Sequence, residues 1–140
     1  MPSEVIAAFL WAQIENIEDI QNKRKLLWDA YFKGFKAINS PSFNLPLVPN
    51  YGTNNAHMFY VVCKDIAHRT LVINALKNDN FHAVFHYLSL HSSDFYKDKH
   101  DGRVLPNSDI YSDRLVRLPM YYELDFKSIE KIISIVKTLS

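Results

Sequence analysis

Phe81-His82-Ala83-Val84-Phe85-His86-Tyr87-Leu88-Ser89-Leu90-His91 puts three histidines, two phenylalanines and a tyrosine into one short run. Its first half is apolar and rich in β-formers, which predicts a strand. Side chains alternate across a strand, so His82, Val84 and His86 share one face and Ala83, Phe85 and Tyr87 the other. After Leu88 the apolar run gives way to the polar loop Ser92-Ser93-Asp94. A polar cluster where a buried strand ends is a common place for a binding site. The plainer alternative is that His82 is exposed at the strand start and His86 is a hydrogen-bonded core histidine.

Working outward, Met58-Phe59-Tyr60-Val61-Val62-Cys63 is a second strand of aromatic and β-branched residues. Between the two, a helix runs from about His68 to Asn78, with Leu71, Val72, Ala75 and Leu76 inward and Asn78-Asp79-Asn80 as its stop. Beyond His91, the stretch from Ser92 to Asn107 reads as a solvated loop, and Ser108 as the cap of a short helix through Arg114. Leu115-Val116-Arg117-Leu118-Pro119-Met120 is a short strand cut by Pro119, which puts it at an edge or a strand end. Asp125 caps a last helix with the stripe Ile129, Ile132, Ile133, Val136 and Leu139. Three prolines between Pro41 and Gly52 make that segment a connector, excluding a helix and a central strand.

The N-terminal stretch reads as one long helix, with Pro2 in its first turn and Ser3 as a possible N-cap. Ile6, Phe9, Leu10, Ile17, Ile20, Leu27, Trp28, Tyr31 and Phe35 recur at helical steps, while Asp19–Lys23 and Asp29–Lys33 are spaced as i,i+4 pairs. Gly34 and Asn39-Ser40-Pro41 close it. Unbroken, it would run roughly 50 Å, against an expected radius of gyration of about 14 Å for a chain this size. Ala7, Ala8, Trp11 and Ala12 leave its start apolar all round, so this end is expected to dock on structure outside the chain. A homodimer contact, or a break near Asn16 that folds the helix back, would answer the same observation.

The order after that helix is β-α-β-loop-α-β-α, an α+β arrangement with about three strands, antiparallel or mixed, covered by helices. The 140 residues suit a single domain, and 48% hydrophobic against 22% charged excludes a disordered chain. A net charge of +1 gives no reason to expect nucleic acid or an anionic membrane as partner. Cys63, the sole cysteine, reads as a core residue. With no signal peptide or spanning segment in the sequence, the expected location is cytoplasmic. His82 and His86 sit too far apart on a strand to share a metal with His91 or Asp94, about 13 Å by the strand rise. No nucleophile elbow or glycine-rich phosphate loop occurs, and no lysine lies in an apolar setting suited to Schiff-base chemistry. Alone, the chain lacks a complete catalytic constellation.

Four segments together carry a resemblance: Pro2-Ser3-Glu4 to Ala7-Ala8 with Trp11-Ala12-Gln13-Ile14-Glu15; Asn55-Ala56-His57-Met58-Phe59-Tyr60; Val84-Phe85-His86-Tyr87 to Leu90-His91; and Arg114-Leu115-Val116-Arg117-Leu118-Pro119-Met120-Tyr121-Tyr122. In this order they resemble the C-terminal part of the DegT/DnrJ-type sugar aminotransferases, pyridoxal-phosphate (PLP) enzymes of fold type I. Within the family the resemblance is nearest to the enterobacterial branch making dTDP-4-amino-4,6-dideoxygalactose for surface polysaccharide. It implies that residues 1–38 are a long interdomain helix and 39–140 the small C-terminal domain of an α/β-class parent. The large domain, with the Schiff-base lysine and most of the PLP site, would precede Met1. The parent would be a homodimer that moves an amino group from glutamate, through pyridoxamine phosphate, to a dTDP-4-keto-6-deoxyhexose. This chain alone would hold no cofactor and be inactive. By position, His86 and Tyr87 would line the sugar-nucleotide side of the cleft with His91 beside them; no catalytic, cofactor or metal residue carries over. The family often has proline where Ser89 stands, which bears on the loop geometry there. His57 would support its strand, and Arg117 would form a surface ion pair or meet a phosphate. The competing reading is a non-catalytic remnant or interaction module that associates through its exposed helix.

Overall fold

Phe59 is the residue on which the core is assembled. Tyr31 stacks on its ring at 5.1 Å and Phe35 at 5.9 Å, while Trp28 meets it edge-on at 5.4 Å. These three come from one face of α2 (Ile17–Ile38), at the three- and four-residue steps that align side chains on a helix. Phe59 opens β2 (Phe59–Cys63). The computed structural model describes residues 3–140, so the expectation for Pro2 falls outside the described residues.

The sheet has four strands in the order β1-β2-β4-β3, every neighbouring pair antiparallel. They are β1 (Phe43–Asn44), β2, β3 (Val84–Phe85) and β4 (Leu115–Leu118). Of the two geometries expected, the antiparallel one is found, and there is one strand more than expected. The extra strand is β1, two residues inside the proline-rich connector. It is an edge strand, where Pro41 and Pro46 on either side interrupt no ladder, and burial of Phe43 against Phe35 and His68 fixes it. The Arg117 strand departs from the edge placement: β4 is central, between β2 and β3. Pairing stops at Leu118, so Pro119 ends the strand without removing a bond, and its carbonyl accepts the Tyr31 hydroxyl at 2.9 Å. Burial holds the Tyr31 phenol protonated well above the ordinary range.

The helices α2, α3 (Ile66–Asn78) and α5 (Phe126–Lys137) cover the face that carries Phe59, Val61, Cys63, Val116 and Leu118. Asp65 and Asp125 cap α3 and α5 by accepting the N–H groups of His68 and Ser128. The α5 stripe packs as expected, with Ile129, Ile132 and Val136 buried and Ile133 and Leu139 half-buried. A Cβ on Gly34 would overlap Ile133 Cδ1, so the missing side chain lets α2 and α5 approach. In α3 the inward face is His68, Val72 and Leu76, while Leu71 is exposed. His68 takes the inner position by bonding the Leu139 carbonyl at 3.0 Å. Cys63 is a core residue, and burial pushes its thiol up to about 12.

The long N-terminal helix is broken. α1 (Glu4–Glu15) ends at Asn16, whose N–H bonds the Gln13 carbonyl, and α2 begins at Ile17. No residue of α1 is buried; Phe9 is 73% and Trp11 64% exposed. The i,i+4 pairs expected on α2 do not form: Asp19 accepts the Tyr122 hydroxyl, and Lys23 lies over the Phe126 ring at 5.1 Å. In the first pair each side chain finds a partner brought to it by the fold, which outcompetes a screened surface pair; Asp29 and Lys33 are simply not joined.

Candidate functional site

β3 lasts only two residues, Val84 and Phe85 opposite Arg117 and Val116 of β4, and the chain leaves the sheet at His86. It then runs to a 3-10 turn at Leu90–Ser92. The helix α4 (Pro106–Arg114), with Pro106 in the first turn where its missing N–H costs nothing, lies alongside. Ser108 does not cap it; the cap position is Leu105. Between the departing chain and α4 is a cavity of about 390 Å³, lined chiefly by His86, Tyr87, Ser89, Ser108, Tyr111 and Ser112.

His86 is half-buried, neither the buried histidine of the plainer reading nor a surface one. Its Nδ1 is shut off from solvent and has no hydrogen-bond partner among the described residues. Its ring lies 4.5 Å from that of Tyr87, which is 78% exposed. A tilted pair of rings with an unused polar atom offers both stacking area and a hydrogen bond, the combination that fixes and orients a small polar ligand.

The floor is held from α4. The buried Ser89 hydroxyl donates to Asp109 Oδ1 at 3.0 Å and lies 3.2 Å from Ser108 Oγ. His91 is off the lining, its Nε2 3.0 Å from the same Asp109 oxygen. Ser89 adopts φ −60° and ψ 127°, inside the range a proline ring imposes. The serine therefore keeps the course of a proline-bearing loop and adds a tether to α4. The candidates His86 and Tyr87 meet in the cavity and His91 sits behind it. Asp109, Ser108 and Tyr111 gave no signal in the sequence, since nothing local announces that α4 packs beside the loop.

The other residues singled out lie elsewhere. His57 is in the turn before β2, where its carbonyl and that of Ala56 accept the Arg24 guanidinium. That clamp holds Ala56 at φ 51°, a left-handed conformation costing a non-glycine residue roughly 1 kcal/mol. Arg117 forms no ion pair among the described residues. No three His, Cys, Asp or Glu side chains among the described residues converge as metal ligands, and no helix there is long and apolar enough to cross a membrane. No lysine is buried and none lines the cavity, so these residues do not by themselves fit an attachment site for PLP.

Residues 3–137 match the model of the DegT/DnrJ/EryC1/StrS aminotransferase family. The chain belongs to this family. As a DegT/DnrJ/EryC1/StrS member it shares the fold of solved relatives. DesV of S. venezuelae, in complex with a ketimine intermediate, superposes with a TM-score of 0.84 at 20% identity, over 94% of this chain and 35% of that one. PseC of Helicobacter pylori, an aminotransferase involved in the biosynthesis of pseudoaminic acid, gives 0.79 at 18% identity, over 92% and 35%. TlmJ, an aminotransferase of Streptoalloteichus hindustanus, gives 0.79 at 19%, over 91% and 34%. The family is PLP-dependent. The chain spans about a third of the length of the structures it matches.

Proposed function

We propose that the 140 residues are the small-domain part of a PLP-dependent sugar aminotransferase, and that the cavity at His86 and Tyr87 forms the sugar side of its cleft. The observation that carries this is the family match over 3–137, in a chain about a third the length of its solved relatives. Residues 39–140 are then the small domain. Residues 1–38 are the interdomain segment that holds α1 and α2, and α2 from Leu27 to Phe35 also supplies one layer of the core. The Schiff-base lysine belongs to a large domain outside these residues; when bound there, PLP supplies the exchange between carbonyl and amine. This chain contributes a wall that stacks the sugar on Tyr87 and offers His86 Nδ1 to a hydroxyl. The bareness of α1 supports a large domain seated on it.

In finer detail, the substrate class is a dTDP-4-keto-6-deoxyhexose, aminated at the expense of glutamate in a homodimeric cytoplasmic enzyme of surface-polysaccharide synthesis. The nearest activity is that of dTDP-4-amino-4,6-dideoxygalactose transaminase. What supports this is the run Val84 to His91 together with Arg114 to Tyr122, which the fold places on adjoining strands.

The test is His86→Ala in the enzyme carrying both domains. We expect kcat/KM for the nucleotide sugar to fall by about tenfold or more, with the melting temperature unchanged. A fall in melting temperature that accounts for the lost activity would make His86 structural.

A further inference from the structure

Arg117 is the charged residue of β4, and it is unaccounted for. Its register partners are Tyr60 on β2 and Val84 on β3. Its neighbours Val116 and Leu118 belong to the core, so the Arg117 side chain leaves the opposite face of the sheet. There it is half-buried, and its Nε is shut off from solvent without a hydrogen-bond partner. No carboxylate lies within ion-pair distance among the described residues. A buried guanidinium N–H left without a partner costs free energy, and the positive charge beside it has no carboxylate to offset it, so an anion is the fitting partner.

Beside it is a second cavity, of about 180 Å³, which Arg117 lines together with His57, His82, Val84, Pro119 and Met120 among others. No acidic residue lines it. The three nitrogen-bearing side chains come from three places: the turn before β2, the approach to β3, and β4. One guanidinium fork alone satisfies a planar carboxylate. An imidazole N–H from a further direction, that of His82, suits a tetrahedral oxyanion, which presents acceptors outside that plane, while the His57 Nδ1 is already engaged by Asn55 Oδ1 at 3.2 Å. At roughly 30 Å³ for each water in the liquid, the space equals several waters, room enough for a phosphoryl group.

We propose that Arg117 and His82 form a phosphoryl-binding site, with His57 at its rim, on the part of the sheet face opposite the core that α4 leaves uncovered. His82 and His86 flank β3, at most about 13 Å apart along an extended chain. One ligand carrying a diphosphate and a sugar can therefore reach both cavities, the diphosphate at Arg117 and the sugar at His86. That last assignment rests on the function proposed above; the phosphoryl site does not.

The experiment is a titration of the isotope-labelled 140-residue chain with inorganic pyrophosphate at constant ionic strength, followed by NMR at the Arg117 Nε–H and the His82 ring. A saturable shift at both is expected, with none from acetate. Arg117→Gln should weaken binding by about tenfold or more, and Arg117→Lys, which keeps the charge but loses the fork, by several-fold. No saturable shift in the unmodified chain, an equal response to acetate, or undiminished affinity in a folded Arg117→Gln overturns the site. If pyrophosphate binds while the two-domain enzyme proves inactive on nucleotide sugars, the phosphoryl site stands and the substrate reading falls.

Discussion

α1 and α5 are both 12-residue helices with a side-chain N-cap, Ser3 in one and Asp125 in the other, and they have opposite fates. α5 concentrates its apolar residues on one stripe and buries Ile129, Ile132 and Val136. α1 is the more apolar of the two, yet spreads Val5, Ile6, Phe9, Leu10, Trp11 and Ile14 around its circumference and buries none of them. An amphipathic stripe specifies a single neighbour, and this chain provides it. Apolar surface on all sides calls for neighbours on all sides, more than this chain has. Hydrophobicity therefore says how much contact a helix needs, and its distribution says from how many directions.

The widest gap should appear in thiol chemistry. Cys63 is buried, with its thiol at about 12 rather than the usual 9.0. Against an ordinary thiol, its thiolate fraction near neutral pH is lower by roughly three orders of magnitude before access is considered. In Phe9→Cys, a disulfide reagent should give two phases, a fast one from position 9 and one from Cys63 that tracks unfolding. A single fast phase would mean that the core opens as readily as α1. Next comes a matched pair of truncations read by urea denaturation. Ile132→Ala, at a site with no exposure, should cost about 2–4 kcal/mol. Ile6→Ala, 59% exposed, should stay within about 0.5 kcal/mol. Comparable losses would show that α1 folds with the core.

The caps give the smallest contrast. Hydrogen bonds from Ser128, backbone first, hold the Asp125 carboxyl below its ordinary value of 3.8. A depressed folded value stabilises the native state fully above 3.8 and less as the pH falls through the depressed value. Asp125→Asn, which caps without titrating, should therefore flatten the acid limb of the stability curve. Ser3→Ala should leave the whole profile unchanged, because α1 is not packed on the core. An unaltered acid limb in Asp125→Asn would remove Asp125 from the account.

The same contrast explains what could be read in advance. The stripe from Ile129 to Leu139, the strand from Phe59 and the Asp125 cap each declare themselves within a dozen residues. Features set by distant partners do not. Phe43 and Asn44 are too few to show a period, and the strand exists because Phe35 and His68 are there to cover it. Leu71 was expected inside on helical spacing, but the bond from His68 to the Leu139 carbonyl fixes which side of α3 turns inward. Within the site, His86 and Tyr87 stood out by residue type. Asp109 did not, since its role depends on Ser89 and His91 arriving from a loop well upstream.

The β2–β4 ladder joins Phe59 to Leu118 and Val62 to Leu115, and this has a bearing on synthesis. During translation the aromatic face of α2 and the whole of β2 emerge long before β4 exists. Closing so wide a loop is the slow, entropically costly step of folding. Until the ribosome has passed Leu118, Trp28, Tyr31, Phe35 and Phe59 lack the cover that β4 and α5 later bring. The nascent chain must therefore spend that interval as a loose aromatic cluster, with a bare strand edge open to chaperones or to a second nascent copy.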